Sequence, residues 1–209
     1  MLKVKVCGLS DPGNVREITK SGPDFMGFIF YPYSGRYVGK CPDPLLFDLV
    51  PAPIIRTGVF VNENITNVLE NIRKFRLGAV QLHGSETPEY CTRVKVTGSI
   101  LIKSFGIDNG FDFNILKSYL GCCDYFLFDR KTEIHGGSGT KFDWEKLDEY
   151  KIEKPFFLSG GIGFNDLEPL KKFRHKKFFG VDVNSRFETS PGIKDTSRIR
   201  DFITKLKTI

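Results

Sequence analysis

The 209-residue chain is short of the residues that mark several kinds of chemistry. It has three His, at 83, 135 and 175, in no ligand spacing, so no metal site is expected. Its five Cys are an odd number without a Cys-x-x-Cys pair, and the adjacent Cys122 and Cys123 are poorly placed to bridge each other. That usage predicts reduced thiols and a cytoplasmic protein. No apolar run approaches the roughly 20 residues of a membrane span, and Met1-Leu2-Lys3-Val4-Lys5-Val6 alternates where a secretory signal would carry an apolar core. After the first strand, Cys7-Gly8-Leu9-Ser10 does not supply the Gly-x-Gly-x-x-Gly of a dinucleotide site. Nothing reads as a linker, a low-complexity tract or a second domain, so residues 1–209 are expected to form one compact domain.

What remains is an ordinary globular composition. Hydrophobic residues make up 40% of the chain, and 20 Phe against one Trp supply material for a core. The net charge is +6, but the basic residues are scattered, with only short runs such as Lys176-Lys177. A clustered face for nucleic acid is therefore not expected. A modest positive field suits an anionic small molecule.

Short apolar segments rich in Val, Ile and Phe recur at 2–7, 25–30, 55–61, 78–82, 100–105, 124–129, 155–159 and 178–182. Such runs read as parallel strands buried on both faces. Helix signals lie between them. Asp11 precedes Pro12, with Gly22 closing the segment. Ile65, Val68, Leu69 and Ile72 share one face, as do Ile199, Phe202, Ile203 and Leu206. Thr87 precedes Pro88, and Asn165 with Glu168 has capping-box spacing. The second helix, near Pro42–Val50, is the weakest, with prolines at 42, 44 and 51. Eight strand–helix units in this length predict a (β/α)8 TIM barrel near its lower size limit, with an open doubly wound sheet as the alternative. Polar residues and glycines recur just after the strands, where a barrel carries its active face, and this favours the barrel.

Several side chains at those strand ends can carry chemistry. Cys7 ends the first strand, where a thiolate could serve as general base, although a Cys there reads first as a buried structural thiol. Asp129 ends the sixth strand, where partial desolvation would raise its pKa and favour the protonated acid; a structural loop cap, or a pair with Arg130, is the equal alternative. Ser159-Gly160-Gly161-Ile162-Gly163 and Asp182-Val183-Asn184-Ser185 follow the last two strands, where barrels often hold phosphate. His135-Gly136-Gly137-Ser138-Gly139 lies on a long loop that could cover a ligand or only connect. Trp144, beside Asp143 at a helix start, reads as a packing anchor. Arg36, in Tyr33-Ser34-Gly35-Arg36-Tyr37, offers a planar fork for a carboxylate or is a solvated surface residue. Gln81 and His83 alternate with Leu82, which predicts that one of them faces the interior.

Taken in order, these segments resemble the phosphoribosylanthranilate isomerase family over nearly the full length. The resemblance rests on Lys5-Val6-Cys7-Gly8, Ser34-Gly35-Arg36-Tyr37-Val38, Gly58-Val59-Phe60-Val61-Asn62 and Val80-Gln81-Leu82-His83-Gly84. It continues through Phe128-Asp129, Gly136-Gly137-Ser138-Gly139, Phe142-Asp143-Trp144, Leu158-Ser159-Gly160-Gly161-Ile162, Gly180-Val181-Asp182-Val183 and Pro191-Gly192-Ile193-Lys194-Asp195. It implies Cys7 as general base, Asp129 as general acid and Arg36 as partner of the anthranilate carboxylate. It further implies phosphate sites at Gly160-Gly161 and Ser185-Arg186, helped by Gly137, Ser138 and Gly139. Gln81, His83 and Asp182 complete the expected substrate-binding set. The implied reaction is the Amadori rearrangement of N-(5-phosphoribosyl)anthranilate in tryptophan biosynthesis, without cofactor, nucleic acid or membrane, by a monomer or homodimer.

The sister isomerase of histidine biosynthesis uses two carboxylates and repeats a half-barrel; Cys7 and the absence of a visible half repeat count against it. Indole-glycerol-phosphate synthase would want lysine and glutamate at strand ends. A non-catalytic phosphate-binding barrel would not need the trio of Cys7, Asp129 and Arg36. One departure stands out. Many relatives have Ser-Ser-Gly where this chain has Asn184-Ser185-Arg186. Arg186 would either strain that turn or add a charged grip on phosphate. Thr140-Lys141 also stands where Lys-Thr is usual.

Overall fold

A computed structural model of the chain describes residues 1–131 and 143–208. Eight parallel strands close into a barrel in sequence order: β1 (Lys3–Val6), β2 (Phe25–Ile29), β3 (Ile55–Phe60), β4 (Ala79–Leu82), β5 (Ile100–Ile107), β6 (Tyr125–Arg130), β7 (Phe156–Leu158) and β8 (Phe178–Val183). Closure comes from β1 pairing β8, with Lys5 opposite Asp182. The open-sheet alternative is thereby excluded. Every strand overlaps a segment predicted from the sequence.

The α-helices are α1 (Pro12–Thr19), α2 (Leu45–Asp48), α3 (Ile65–Phe75), α4 (Pro88–Lys95), α5 (Leu167–Lys172) and α6 (Thr196–Lys207). Four start on an N-cap side chain that accepts a backbone N–H, namely Asp11, Asn64, Thr87 and Asp195. The apolar stripes of α3 and α6 bury Val68, Ile72, Phe202 and Leu206 against the barrel. The proline-flanked α2 is a single turn, yet Phe47 anchors it by stacking on Phe75 at 4.1 Å.

Four segments differ from the expectation. After β5 and β6 the chain forms 3-10 helices, Phe113–Tyr119 and Trp144–Glu149, where α-helices were expected. Asp112 and Asp143 still cap them, which satisfies their first turns without committing the backbone to a longer helix. The capping box expected at Asn165 and Glu168 is replaced by Asp166, whose side chain accepts from the Gly163 N–H at 2.8 Å. A two-stranded antiparallel hairpin, β9 (Glu188–Ser190) with β10 (Ile193–Lys194), follows β8 and has no counterpart in the sequence reading. Trp144 packs edge-on against Phe173, as a packing anchor should.

Side chains alternate along a strand, and this alternation builds the site. Phe25, Ala79, Ile102, Leu127 and Phe157 form one buried cluster, the plug of the barrel interior. Residues two positions further along the same strands point the same way. They are Gly27, Gln81, Ser104, Asp129 and Ser159, and on β4 the series continues to His83. Residues of opposite parity, such as Val80, Leu101, Phe126 and Leu158, join the larger core cluster, which includes helix residues such as Val68 and Phe202.

Candidate active site

The polar ends of this inward-facing set surround a cavity of about 360 Å³. Its wall includes Cys7, Arg36, Gln81, His83, Asp129, Gly160, Gly161, Asp182, Ser185 and Arg186. Ten of the residues singled out from sequence are thus brought to one place. Gly137, Ser138 and Gly139 lie outside the described residues, as do His135 and Lys141. Both Gln81 and His83 line the wall, not one of the two; a side-chain period of two puts them on the same face.

Cys7 follows the last residue of β1, and its amide donates to the Val183 carbonyl at 2.9 Å. The thiol is buried. Burial pushes its pKa up, and the Lys5 ammonium opposes that rise. Lys5 is completely buried and donates to Asp182 Oδ1 at 2.9 Å. Burial alone would lower the Lys5 pKa, but Asp182 and Cys7 outweigh it and hold the ammonium above its ordinary value. Gly27 makes room for the sulfur: a Cβ there would lie 2.8 Å from Cys7 Sγ. A Cβ at Gly8, whose φ is +75°, would lie 2.6 Å from Arg36 Cδ and from Asn184 Oδ1.

Asp129 faces the same cavity from β6. Its Oδ1 accepts from the Arg130 N–H at 2.7 Å, so the loop-cap reading is also met. Burial nevertheless lifts the carboxyl to about 6, against that hydrogen bond and the Lys5 charge. No ion pair joins it to Arg130 among the described residues. His83 Nε2 stands 3.6 Å from Asp129 Oδ2, while His83 Nδ1 lies 2.7 Å from Gln81 Nε2. Burial first, then the Lys103 ammonium, pushes His83 down to about 4, so it is a neutral ring near pH 7. With the Gln81 amide donating to Nδ1, the ring proton sits on Nε2 and points toward Asp129. Gln81 Oε1 and Ser104 Oγ are buried with no hydrogen-bond partner among the described residues. Ser104 also lines the cavity and was missed from the sequence; its parity with Ile102 on β5 was the available signal.

Arg36 is no solvated surface residue. Its Nε and Nη2 donate to the two oxygens of Glu188 at 2.8 and 2.6 Å. Glu188 in turn accepts from Lys194 Nζ at 2.5 Å, and Lys194 also donates to Asn184 Oδ1 at 2.6 Å. The hairpin β9–β10 supplies both Glu188 and Lys194. Neither was identified as a site residue from sequence, because a partner 152 positions from Arg36 leaves no local pattern.

The two late turns meet the cavity through backbone. Gly160 and Gly161 have φ of +91° and +75°, in the left-handed region that favours glycine. Within the described chain no backbone acceptor takes the amides of Gly160, Gly161 and Ile162. Ser185 and Arg186 lie in a 3-10 turn, Ser185–Phe187, beside the first: a Cβ at Gly163 would lie 3.3 Å from Arg186 Cβ. Arg186 does not have positive φ, so the strained-turn reading of this departure falls away.

The sequence profile of the family "N-(5'phosphoribosyl)anthranilate (PRA) isomerase" matches residues 4–205. An N-(5'-phosphoribosyl)anthranilate isomerase of Phocaeicola vulgatus is 45% identical over 204 residues, covering 98% of this chain and 97% of the relative. The crystal structure of phosphoribosyl anthranilate isomerase from Thermotoga maritima superposes with a TM-score of 0.84 at 35% identity, covering 100% of both chains. A phosphoribosyl anthranilate isomerase solved in complex with reduced 1-(o-carboxyphenylamino)-1-deoxyribulose 5-phosphate gives 0.82 at 32%, again covering 100% of both chains. Barrel, strand-end chemistry and full-length similarity agree: this chain belongs to the N-(5'-phosphoribosyl)anthranilate isomerase family, the isomerases of tryptophan biosynthesis.

Proposed function

We propose that the chain rearranges N-(5-phosphoribosyl)anthranilate to 1-(2-carboxyphenylamino)-1-deoxyribulose 5-phosphate with Asp129 as general acid and Cys7 as general base. The observation that carries this assignment is that both groups open onto one cavity, with Asp129 held to about 6 by burial. A carboxyl raised that far retains its proton for a larger share of molecules at neutral pH than an exposed one would.

Asp129 gives a proton to the ring oxygen, the C1–O bond breaks, and the nitrogen lone pair forms a protonated Schiff base. Cys7 then takes the C2 proton. The C–H electron pair becomes the C1=C2 bond, and the nitrogen returns to neutral. Tautomerisation of the resulting enolamine gives the ketone. One acid and one base suffice, and no cofactor enters these steps. Gly160, Gly161, Ser185 and Arg186 hold the phosphate in this reading, with Gly137, Ser138 and Gly139 as further contacts. Arg36 takes the anthranilate carboxylate. Glu188 occupies its Nε–Nη2 edge and leaves the Nη1–Nη2 edge for that ligand. Gln81 Oε1 and Ser104 Oγ offer unpartnered acceptors to the sugar hydroxyls, and Asp182 holds Lys5 at the cavity floor.

Cys7, Asp129 and the two late turns all belong to this chain, and the reading is of a monomer or a homodimer; a Thermotoga maritima relative is dimeric. Five free thiols favour a reducing compartment, the cytoplasm, and no helix among the described residues is long and apolar enough to cross a membrane. The direct test follows the loss of anthranilate-type fluorescence as purified protein consumes substrate. Cys7→Ala and Asp129→Ala are each expected to lose about 10²–10⁴-fold in kcat. Near-wild-type turnover by either variant would remove that residue's role.

A further inference from the structure

We infer that Lys5 is a positioning residue for the proton-abstracting thiol: its ammonium, gripped by Asp182 beneath the cavity, is the counter-charge against which a Cys7 thiolate forms. The inference rests on the reading of Cys7 as base.

Lys5 and Cys7 stand two residues apart at the end of β1, so their side chains share the inward face. Lys5 has no solvent exposure and is not part of the cavity wall, whereas Cys7 is. It therefore acts on a ligand only through a neighbour. Its neighbours are Asp182, at 2.9 Å, and the Cys7 thiol, which shares its face of β1 and feels its charge.

Stability is a poor reason for this arrangement. A buried lysine–carboxylate pair seldom outperforms apolar residues of the same volume, because both charges must be stripped of water. A floor of leucines would serve the barrel as well. Catalysis supplies a better reason. Burial lifts the Cys7 thiol, which makes its thiolate scarce at neutral pH, and each unit of that pKa is a tenfold change in available base.

The charged groups that bear on Cys7 are Lys5 from β1, Asp182 from β8, Lys194 from β10 and Arg36 from the loop after β2. Glu188 bridges Arg36 and Lys194 and offsets one of their two charges. Asp182 disfavours the thiolate, and Lys5 is the largest influence in its favour. When Cys7 takes the C2 proton, the S–H bond forms and the sulfur becomes neutral. Lys5 is then balanced by Asp182 alone, so it stays charged before and after the transfer.

The test is the pH dependence of Cys7 alkylation by iodoacetamide, followed by mass spectrometry of the Cys7 peptide so that the exposed Cys41 does not interfere. Lys5→Met should move the midpoint upward and slow alkylation at a fixed pH below it by about tenfold or more. Its kcat should fall in parallel while KM changes less. If Lys5→Met leaves Asp182 unpaired and does not fold, Lys5→Met/Asp182→Asn removes both buried charges and should still alkylate more slowly than wild type. A folded single or double variant with the wild-type alkylation profile would overturn the inference. Undiminished turnover by Cys7→Ala would instead overturn the assignment of Cys7 as base, a separate failure.

Discussion

Asp129 shows at the scale of one residue how function is taken from stability. Its carboxyl titrates near 6 in the folded chain against 3.8 for an unperturbed Asp, because burial disfavours the charge. The folded state therefore holds this proton more tightly than the unfolded state. The corresponding stability is fully present below about pH 4 and is lost as the pH rises through about 6. Asp129→Asn removes the ionisation, so its melting temperature should match wild type near pH 4. At pH 8 it should be more stable, by at most about 3 kcal/mol, while turnover is lost. Equal melting curves at pH 8 would show that the carboxylate is not destabilising. Gly27 makes a complementary point. Gly27→Ala would place a methyl group 2.8 Å from Cys7 Sγ, and displacement of the proposed base should lower kcat by roughly 10–100-fold. Overpacking should cost only about 1–3 kcal/mol. A folded variant with unaltered kcat would mean the thiol need not sit where it does.

At the scale of elements, eight short strands of one parity hold the chemistry and the other parity holds the fold. The hairpin β9–β10 adds what the strands do not. It brings Glu188 against Arg36 and Lys194 against Asn184, so that one small element sets the direction of the Arg36 fork. Glu188→Gln can accept through only one oxygen. The fork should then loosen, raising KM about three- to tenfold with a smaller change in kcat. Steady-state kinetics with KM unchanged would show that Arg36 needs no such holding. The elements also mark where sequence patterns carry little information. The segments after β5 and β6 have helix caps and apolar residues in place, yet fold as 3-10 turns, because a cap specifies where a turn begins and not its pitch. Asp166 displaced the expected capping box because its side chain accepts from the Gly163 N–H, a donor two residues before Asn165.

For the whole molecule, net charge and cavity act together. A chain at +6 attracts phosphorylated ligands before any contact forms, and the Gly160-Gly161 turn and Ser185-Arg186 face the same space. Inorganic phosphate should therefore stabilise the fold by mass action. At about 100 times its dissociation constant it should contribute about 2.7 kcal/mol and raise Tm by about 5–10 °C. An equal rise with chloride at matched ionic strength would reduce the effect to screening. The sequence by itself determined the barrel, through the spacing of apolar runs, and the candidates Cys7, Asp129 and Arg36, through residue type at strand ends. Only the tertiary structure decided that Gln81 and His83 share one face, that Glu188 occupies half of the Arg36 fork, and that Lys5 lies between Asp182 and Cys7. Local patterns follow from backbone periodicity, which is written along the chain. Partners 152 or 177 residues apart meet only when the barrel closes, and burial, which sets their charges, does not exist before it does.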